Sequence, residues 1–93
     1  MNEANYRSLR GGLNYLLEGR QQSPHGTKIK AADLLTYGRH DLATITESIV
    51  RWEKAGHLRI LKPFDNCSPE DYCIEALTYI EEKSPIKGWL NWQ

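Results

Sequence analysis

The stretch that decides the fold reads Ile45-Thr46-Glu47-Ser48-Ile49-Val50-Arg51-Trp52-Glu53-Lys54-Ala55-Gly56-His57-Leu58. Its apolar positions at intervals of four, three and three residues are Ile45, Ile49, Trp52 and Ala55. This spacing is typical of one face of an α-helix. Gly56 follows, and glycine ends helices readily because it adopts the left-handed conformation without a steric penalty. The stretch therefore predicts a helix with a buried face, followed by a new element from residue 57.

Two residues compete to cap this helix. Thr44 and Glu47 have the spacing of a capping box, in which the hydroxyl accepts the Glu47 amide and the carboxylate accepts the Thr44 amide. Asp41 is a rival cap about one turn earlier. The start of the helix therefore stays open between these two caps.

A second helix precedes this one closely. Residues 29–37 carry apolar side chains on one side, and Gly38 is a C-terminal stop. The connection Gly38-Arg39-His40-Asp41 is short. Two helices joined by such a turn predict a helix-turn-helix.

A first helix is predicted over residues 4–21. Its apolar stripe consists of Tyr6, Leu9, Leu13, Leu16 and Leu17. Gly11 and Gly12 lie inside this helix, where each glycine costs roughly 1 kcal/mol relative to alanine. We therefore expect a close helix crossing at this point.

The chain after Gly56 has two interpretations. Residues 58–62 predict a short strand, and Pro63 with Asp65-Asn66 predicts a turn. The sequence Ser68-Pro69-Glu70-Asp71 has a capping serine, a proline and acids, which favours a fourth helix over residues 69–83. The competing interpretation makes residues 71–74 a return strand, with a helix from about residue 75.

The last ten residues are rich in apolar side chains, namely Ile86, Trp89, Leu90 and Trp92. Tryptophans in a tail are seldom left in water. We expect residues 84–93 to dock on the domain formed by residues 1–83, or to form a surface for a protein partner or a second copy of the chain.

Two segments resemble a known superfamily. Residues 45–58, with Glu53-Lys54-Ala55-Gly56-His57-Leu58 at their end, resemble the recognition helix and first strand of winged-helix proteins. Glu75-Ala76-Leu77-Thr78-Tyr79-Ile80-Glu81-Glu82 resembles the helix after the wing in small phage-associated proteins of the YjcQ type, with Ala76 where a glycine is usual. The resemblance covers roughly residues 29–83. It implies a mainly α fold with a small β wing, a winged helix-turn-helix.

The charge distribution bears on partners. The 93 residues contain 12 basic and 12 acidic side chains, a weak footprint for nucleic-acid binding. Residues 1–62 carry a net charge of +4, however, and residues 63–93 carry −4. We expect a polarised molecule whose first two-thirds face an anion.

The leading hypothesis is DNA binding, as in a small transcriptional regulator of phage or mobile-element type. The third helix would enter the major groove, where base edges are distinguishable. Arg51 would read guanine, and the other contacts would come from the turn, this helix and the wing. The candidate DNA-binding residues are Lys28, Lys30, Arg39, His40, Thr44, Thr46, Glu47, Arg51, Lys54, Arg59 and Lys62.

The alternative is a protein–protein interaction module of the same fold that uses the tryptophan-rich tail and does not bind DNA. Fold alone does not separate the two functions. Salt dependence does, because phosphate contacts weaken steeply with ionic strength.

Other classes are disfavoured. The sequence has no Gly-rich phosphate loop, nucleophile elbow or His-Glu-x-x-His motif, so we expect neither an enzyme nor a cofactor. Cys67 and Cys73 are spaced too widely for a typical metal site, and we expect them to be reduced. No membrane span or signal peptide is visible, so we expect a cytoplasmic protein.

Overall fold

A computed structural model describes residues 1–18 and 24–81. These residues form a mixed α/β structure with three α-helices and a three-stranded antiparallel sheet. The elements in chain order are α1 (Glu3–Glu18), β1 (Lys28–Lys30), α2 (Ala31–Tyr37), α3 (Leu42–Lys54), β2 (Leu58–Ile60), a 3-10 turn (Phe64–Asn66) and β3 (Tyr72–Ala76). The helices at α1, α2 and α3 match the three predicted before Gly56.

The sheet corrects the prediction for the region after the turn. Its strand order is β1-β3-β2, so β3 is the central strand and pairs with both neighbours. The helix predicted over residues 69–83 is therefore wrong, and the competing return strand is right. Ser68 and Asp71 do interact, but as a turn, in which the Asp71 carboxylate accepts the Ser68 N–H at 2.8 Å. The pattern of residues 68–71, which is typical of a helix N-terminus, here forms the turn that leads into β3.

The second helix also begins later than predicted. Lys28–Lys30 forms β1, and α2 starts at Ala31 instead of near Ile29. The Ala31 N–H donates to the Asp71 carbonyl at 2.9 Å and the Ala32 N–H to the Pro69 carbonyl at 3.0 Å. The loop before β3 thereby satisfies two donors that the first turn of a helix leaves unpaired.

The core lies between the three helices and the inner face of the sheet. It confirms most of the predicted apolar stripes, because Tyr6, Leu9, Leu13, Leu17, Ile45, Ile49 and Trp52 are all buried. Trp52 is fully buried, and its indole Nε1 donates to the Tyr6 hydroxyl at 3.0 Å. Ala55 departs from the prediction: it is the exposed C-cap of α3.

The crossing of α1 and α2 explains one of the two glycines in α1. A Cβ on Gly12 would lie 2.1–2.7 Å from atoms of the Tyr37 side chain, so only glycine fits there. A Cβ on Gly11 would have nothing within 4 Å. The predicted close crossing is thus confirmed at Gly12 and absent at Gly11.

After β3 the chain returns to α1, and residues 75–81 do not form the helix that the competing interpretation and the resemblance to YjcQ-type proteins both predicted. The Asn14 side chain donates to the Ile80 carbonyl at 2.9 Å and accepts the Ile80 N–H at 2.8 Å. Ile80 is buried in the core. The apolar tail residues Ile86, Trp89, Leu90 and Trp92 lie outside the described residues.

Candidate nucleic-acid interface

The turn between α2 and α3 is built as a Schellman motif. The His40 N–H donates to the Leu35 carbonyl at 2.9 Å, and the Arg39 N–H donates to the Thr36 carbonyl at 3.3 Å. Arg39 takes the left-handed position of this motif with φ 56°, and His40 follows with φ 58°. Both side chains are exposed. The motif therefore presents two predicted contact residues at the entry to α3.

Gly38 ends α2 as predicted, but for a different reason. Its φ is −84°, a value open to every residue, so the left-handed conformation falls on Arg39 instead. A Cβ on Gly38 would lie 2.4 Å from Ile45 Cγ1 and 2.8 Å from the Leu34 carbonyl oxygen. Gly38 is thus required by the close packing of α2 on α3.

Asp41 caps α3, which decides between the two predicted caps. Its Oδ1 accepts the Thr44 N–H at 3.2 Å. Its Oδ2 accepts the Thr44 hydroxyl at 2.8 Å and the Asn5 side-chain amide at 2.9 Å. The cap therefore joins the start of α3 to α1.

Thr44 leaves the set of candidate contacts. Its side chain is 1% exposed, and its Oγ1 also accepts the Asn2 N–H at 3.0 Å. The capping box with Glu47 is likewise wrong, because Glu47 Oε1 lies 3.7 Å from the amino group of Met1. The predicted surface contact of Thr44 is wrong because its hydroxyl serves the contact between α1 and α3.

One face of α3 is open to solvent. The residues along its shallow hollow are Thr46, Glu47, Val50, Arg51, Lys54 and Ala55. The guanidinium of Arg51 lies 5.2 Å from the centre of the Tyr6 ring, which favours a cation by its quadrupole. The Arg10 guanidinium lies 5.7 Å from the centre of the same ring, so Tyr6 holds the Arg51 side chain against α1.

The basic residues of the β2–β3 hairpin meet acids of the same hairpin. Arg59 forms an ion pair with Glu75, its register partner on β3. Lys62 Nζ lies 3.0 Å from Asp71 Oδ2. These two predicted phosphate contacts are therefore engaged within the domain.

The bases of β1 also lie beside acids of residues 58–76. Lys30 Nζ is 3.3 Å from Glu70 Oε1 and 5.6 Å from the centre of the Tyr72 ring. Lys28 is exposed and sits opposite Glu75 in the register of β1 and β3. Glu75 on the central strand thus has a base on each neighbouring strand.

Two carboxylates, one at the start of α3 and one in the hairpin, have lowered pKa values. Hydrogen bonds from the Asn5 side chain and from Thr44 lower the pKa of Asp41 below its ordinary value of 3.8. The Ser68 N–H, and then the Lys62 ammonium, lower the pKa of Asp71 in the same way. Both carboxylates are stabilised in the charged form by the contacts that define their turns.

The sequence did not reveal a groove between the hairpin loop and α3. Its volume is about 270 Å³, and its lining residues are Ala31, Leu35, Leu42, Thr46, Phe64, Asp65, Cys67 and Pro69. Phe64, directly after Pro63 in the loop, was the one sequence signal for it. Thr46 of α3 and the hairpin loop therefore line the same groove.

Cys67 and Cys73 are joined in a disulfide, which corrects the expectation of reduced thiols. The disulfide ties the loop after the 3-10 turn to β3, with a Cα–Cα distance of 6.5 Å. Sequence spacing could not show this, because the return of the chain along β3 brings the two residues together. Within residues 1–18 and 24–81, no three His, Cys, Asp or Glu side chains form a metal-ligand group.

Apart from the buried Thr44, the predicted contact residues fall into two groups. Arg39, His40, Thr46, Glu47, Arg51 and Lys54 are exposed on the turn and on α3. Lys28, Lys30, Arg59 and Lys62 lie on the sheet and the hairpin beside acids.

Comparison of the chain with protein-family models, with curated proteins and with solved structures returned no match. In the described part of the chain, every helix is too short or too polar to traverse a lipid bilayer.

Proposed function

We propose that this chain is a winged helix-turn-helix protein that binds double-stranded DNA through α3. The observation that carries the proposal is the order α1-β1-α2-α3-β2-β3 with β3 central in the sheet. In this arrangement α2, a tight turn and α3 form the helix-turn-helix, and the β2–β3 hairpin is the wing. The sequence resemblance to YjcQ-type proteins alone extends the proposal to a regulator of phage or mobile-element type, because residues 75–81 do not form the helix that follows the wing in those proteins.

The exposed face of α3 supplies the chemistry that base recognition needs. The Arg51 guanidinium can donate two parallel hydrogen bonds to guanine, and Thr46 can contact a phosphate or a thymine methyl. Arg39 and Lys54 flank this face as cations for phosphates. A single helix-turn-helix makes few contacts, so a specific site would engage two copies of the chain on a two-fold operator.

The first experiment is an anisotropy titration of a labelled random-sequence duplex at several salt concentrations. We expect micromolar binding that weakens as salt rises, because released counterions drive phosphate contacts. Absence of binding at the lowest salt concentration would overturn the proposal.

Arg51→Lys separates base recognition from charge. Lysine keeps the positive charge beside Tyr6 but cannot make the bidentate contact. After selection of a preferred sequence, we expect the variant to retain the salt dependence and to lose roughly tenfold in selectivity, about 1.4 kcal/mol. Lys54→Gln is the matched control, since it should lower the salt slope and leave selectivity unchanged.

The second candidate is a protein-interaction module of the same fold. Leu42 and Val50 favour it, because they are 59% and 40% exposed on α3. Such a contact would respond weakly to salt, whereas DNA binding responds strongly. Absence of salt-dependent DNA binding by the wild type, together with a protein contact that Val50→Glu removes, would support this alternative.

A further inference from the structure

The β2–β3 hairpin carries more acid than base. Residues 58–76 contain two bases, Arg59 and Lys62, and four acids, which give a net charge of −2. The acids are Asp65, Glu70, Asp71 and Glu75. A wing that binds phosphates would need a net positive charge.

The geometry places these acids on the bases that a wing would use. Glu75 sits on the central strand with a side chain only 15% exposed, and it pairs with Arg59 across the ladder. Lys62 lies 3.0 Å from Asp71, whose carboxylate is also fixed by the Ser68 N–H at 2.8 Å. Each acid is therefore held by the fold in the place where a phosphate would bind.

The turn and α3 differ from the hairpin in this respect. Arg39 and Lys54 are exposed, and none of the ion pairs among the described residues includes either of them. Lys28 on β1 is also exposed and outside these ion pairs, so the available cations among the candidate contact residues include Arg39 and Lys54 of the helix-turn-helix and Lys28 of the sheet.

We infer that the acids of the hairpin act as internal substitutes for phosphate, so that DNA contact is confined to α3 and the α2–α3 turn while the wing stays off the duplex. This inference rests on the proposed function. Exposed ion pairs are individually weak, so a phosphate could displace one carboxylate. Lys28 and Lys30 of β1 offset the two negative charges that the hairpin has in excess, so the positions of the acids decide the outcome. A displaced carboxylate remains beside the phosphate and repels it.

The test removes the acids and leaves the bases in place. Asp71→Asn/Glu75→Gln keeps side-chain shape and hydrogen-bond acceptors, so the Ser68 turn and the β ladder are retained. The matched control is Glu18→Gln/Glu81→Gln, which removes the same number of negative charges, two. These charges lie near Asn14 and Tyr79, at the far end of α1. Binding of a random duplex is measured by anisotropy over a range of salt concentrations, with thermal melting to verify folding.

We expect the Asp71→Asn/Glu75→Gln variant to bind roughly tenfold tighter in 0.1 M salt, with a log–log salt slope steeper by about two. The control should keep the wild-type slope, because its charges lie at the opposite end of α1 from Asn2 and Asn5, which contact the start of α3. If Asp71→Asn impairs folding, Glu75→Gln alone should steepen the slope by about one. A slope equal to that of the wild type in the folded acid-removal variants would overturn the inference.

Removal of the bases completes the test. In the wild-type background, Arg59→Gln/Lys62→Gln should leave the slope unchanged, whereas Lys54→Gln should reduce it by about one. A slope that is smaller by about two in Arg59→Gln/Lys62→Gln would show that the wing contacts DNA. This result would overturn the inference and leave the proposed function standing. If neither the wild type nor any variant binds DNA, the proposed function fails and the inference fails with it.

Discussion

Arg39 and Gly56 occupy the same position in two copies of one backbone motif. Gly56 follows α3 with φ +86°, and its N–H donates to the Glu53 carbonyl while the His57 N–H donates to the Trp52 carbonyl. The α2–α3 turn repeats this Schellman geometry with Arg39 where α3 has glycine. A non-glycine residue in the left-handed region carries a steric cost of roughly 1 kcal/mol or more.

We therefore predict opposite effects of exchanging glycine at these two positions. Arg39→Gly should raise the free energy of unfolding by about 0.5–1 kcal/mol, since relief of strain exceeds the added backbone entropy. Gly56→Ala should lower it by about 1 kcal/mol, because alanine must adopt the positive φ. Urea denaturation measures both. A destabilised Arg39→Gly variant would contradict this account of the turn.

Asp41 links stability to pH. Hydrogen bonds from Asn5 and Thr44 lower its pKa in the folded protein, so the folded state binds this proton less readily than the unfolded chain. The resulting stabilisation is present above about pH 4–5 and is lost as the pH falls through the lowered pKa. Asp71 contributes in the same direction.

Asp41→Asn should therefore show a smaller fall in melting temperature between pH 7 and pH 3 than the wild type. Asparagine still caps the helix but does not titrate. Asn5→Ala should also reduce the pH dependence, because it removes the largest cause of the shift while keeping the carboxylate. Thermal melting followed by circular dichroism provides the measurement, and equal falls in all three proteins would refute the linkage.

At the scale of the element, α1 contains a matched pair of glycines. Gly11→Ala should stabilise the protein by about 0.5–1 kcal/mol, since a methyl group there meets nothing within 4 Å. Gly12→Ala should destabilise it by about 1–3 kcal/mol, because the methyl group would overlap Tyr37 and force α1 and α2 apart. Chemical denaturation of the two variants tests the crossing, and similar values would mean that it is looser than described.

The helices were predictable and the strands were less so, for one physical reason. The stripes containing Leu9 and Ile49 repeat with the period of a helix, so each helix carries its own evidence. The strands β1 and β3 have three and five residues and are stabilised by partners distant in sequence. The Ser68-Pro69 pattern could not reveal that residues 72–76 would pair with two strands.

The candidate site shows the same limit. The exposure of Arg51 and Lys54 followed from the periodicity that buries Trp52. The burial of Thr44 did not, because Asn2 and Asp41 together engage its hydroxyl. Contacts made through tertiary structure were beyond the reach of the sequence pattern.

At the scale of the whole molecule, the described residues do not separate their charges as the sequence suggested. Glu70, Asp71 and Glu75 belong to the acidic last third of the chain, yet the sheet and its loop place them against bases of the first two-thirds. These three acids therefore do not face away from the basic part of the chain. The positive charge that the surface offers to an external anion depends on this pairing. It does not follow from the number of charged residues in each part of the chain.

This pairing predicts the salt dependence of the whole protein. If Arg39 and Lys54 are the cations that meet phosphates, the log–log slope for a B-form duplex should be about −2, near 0.9 for each contact. Participation of Arg59 and Lys62 would make it about −4. Anisotropy titrations of the wild type between 50 and 200 mM salt distinguish the two values, with Lys54→Gln as an internal calibration of one contact. A slope near −2 that falls to about −1 in Lys54→Gln is the expected result, because the folded hairpin contributes no net positive charge. A slope near −4 would mean that phosphates displace the carboxylates of the hairpin.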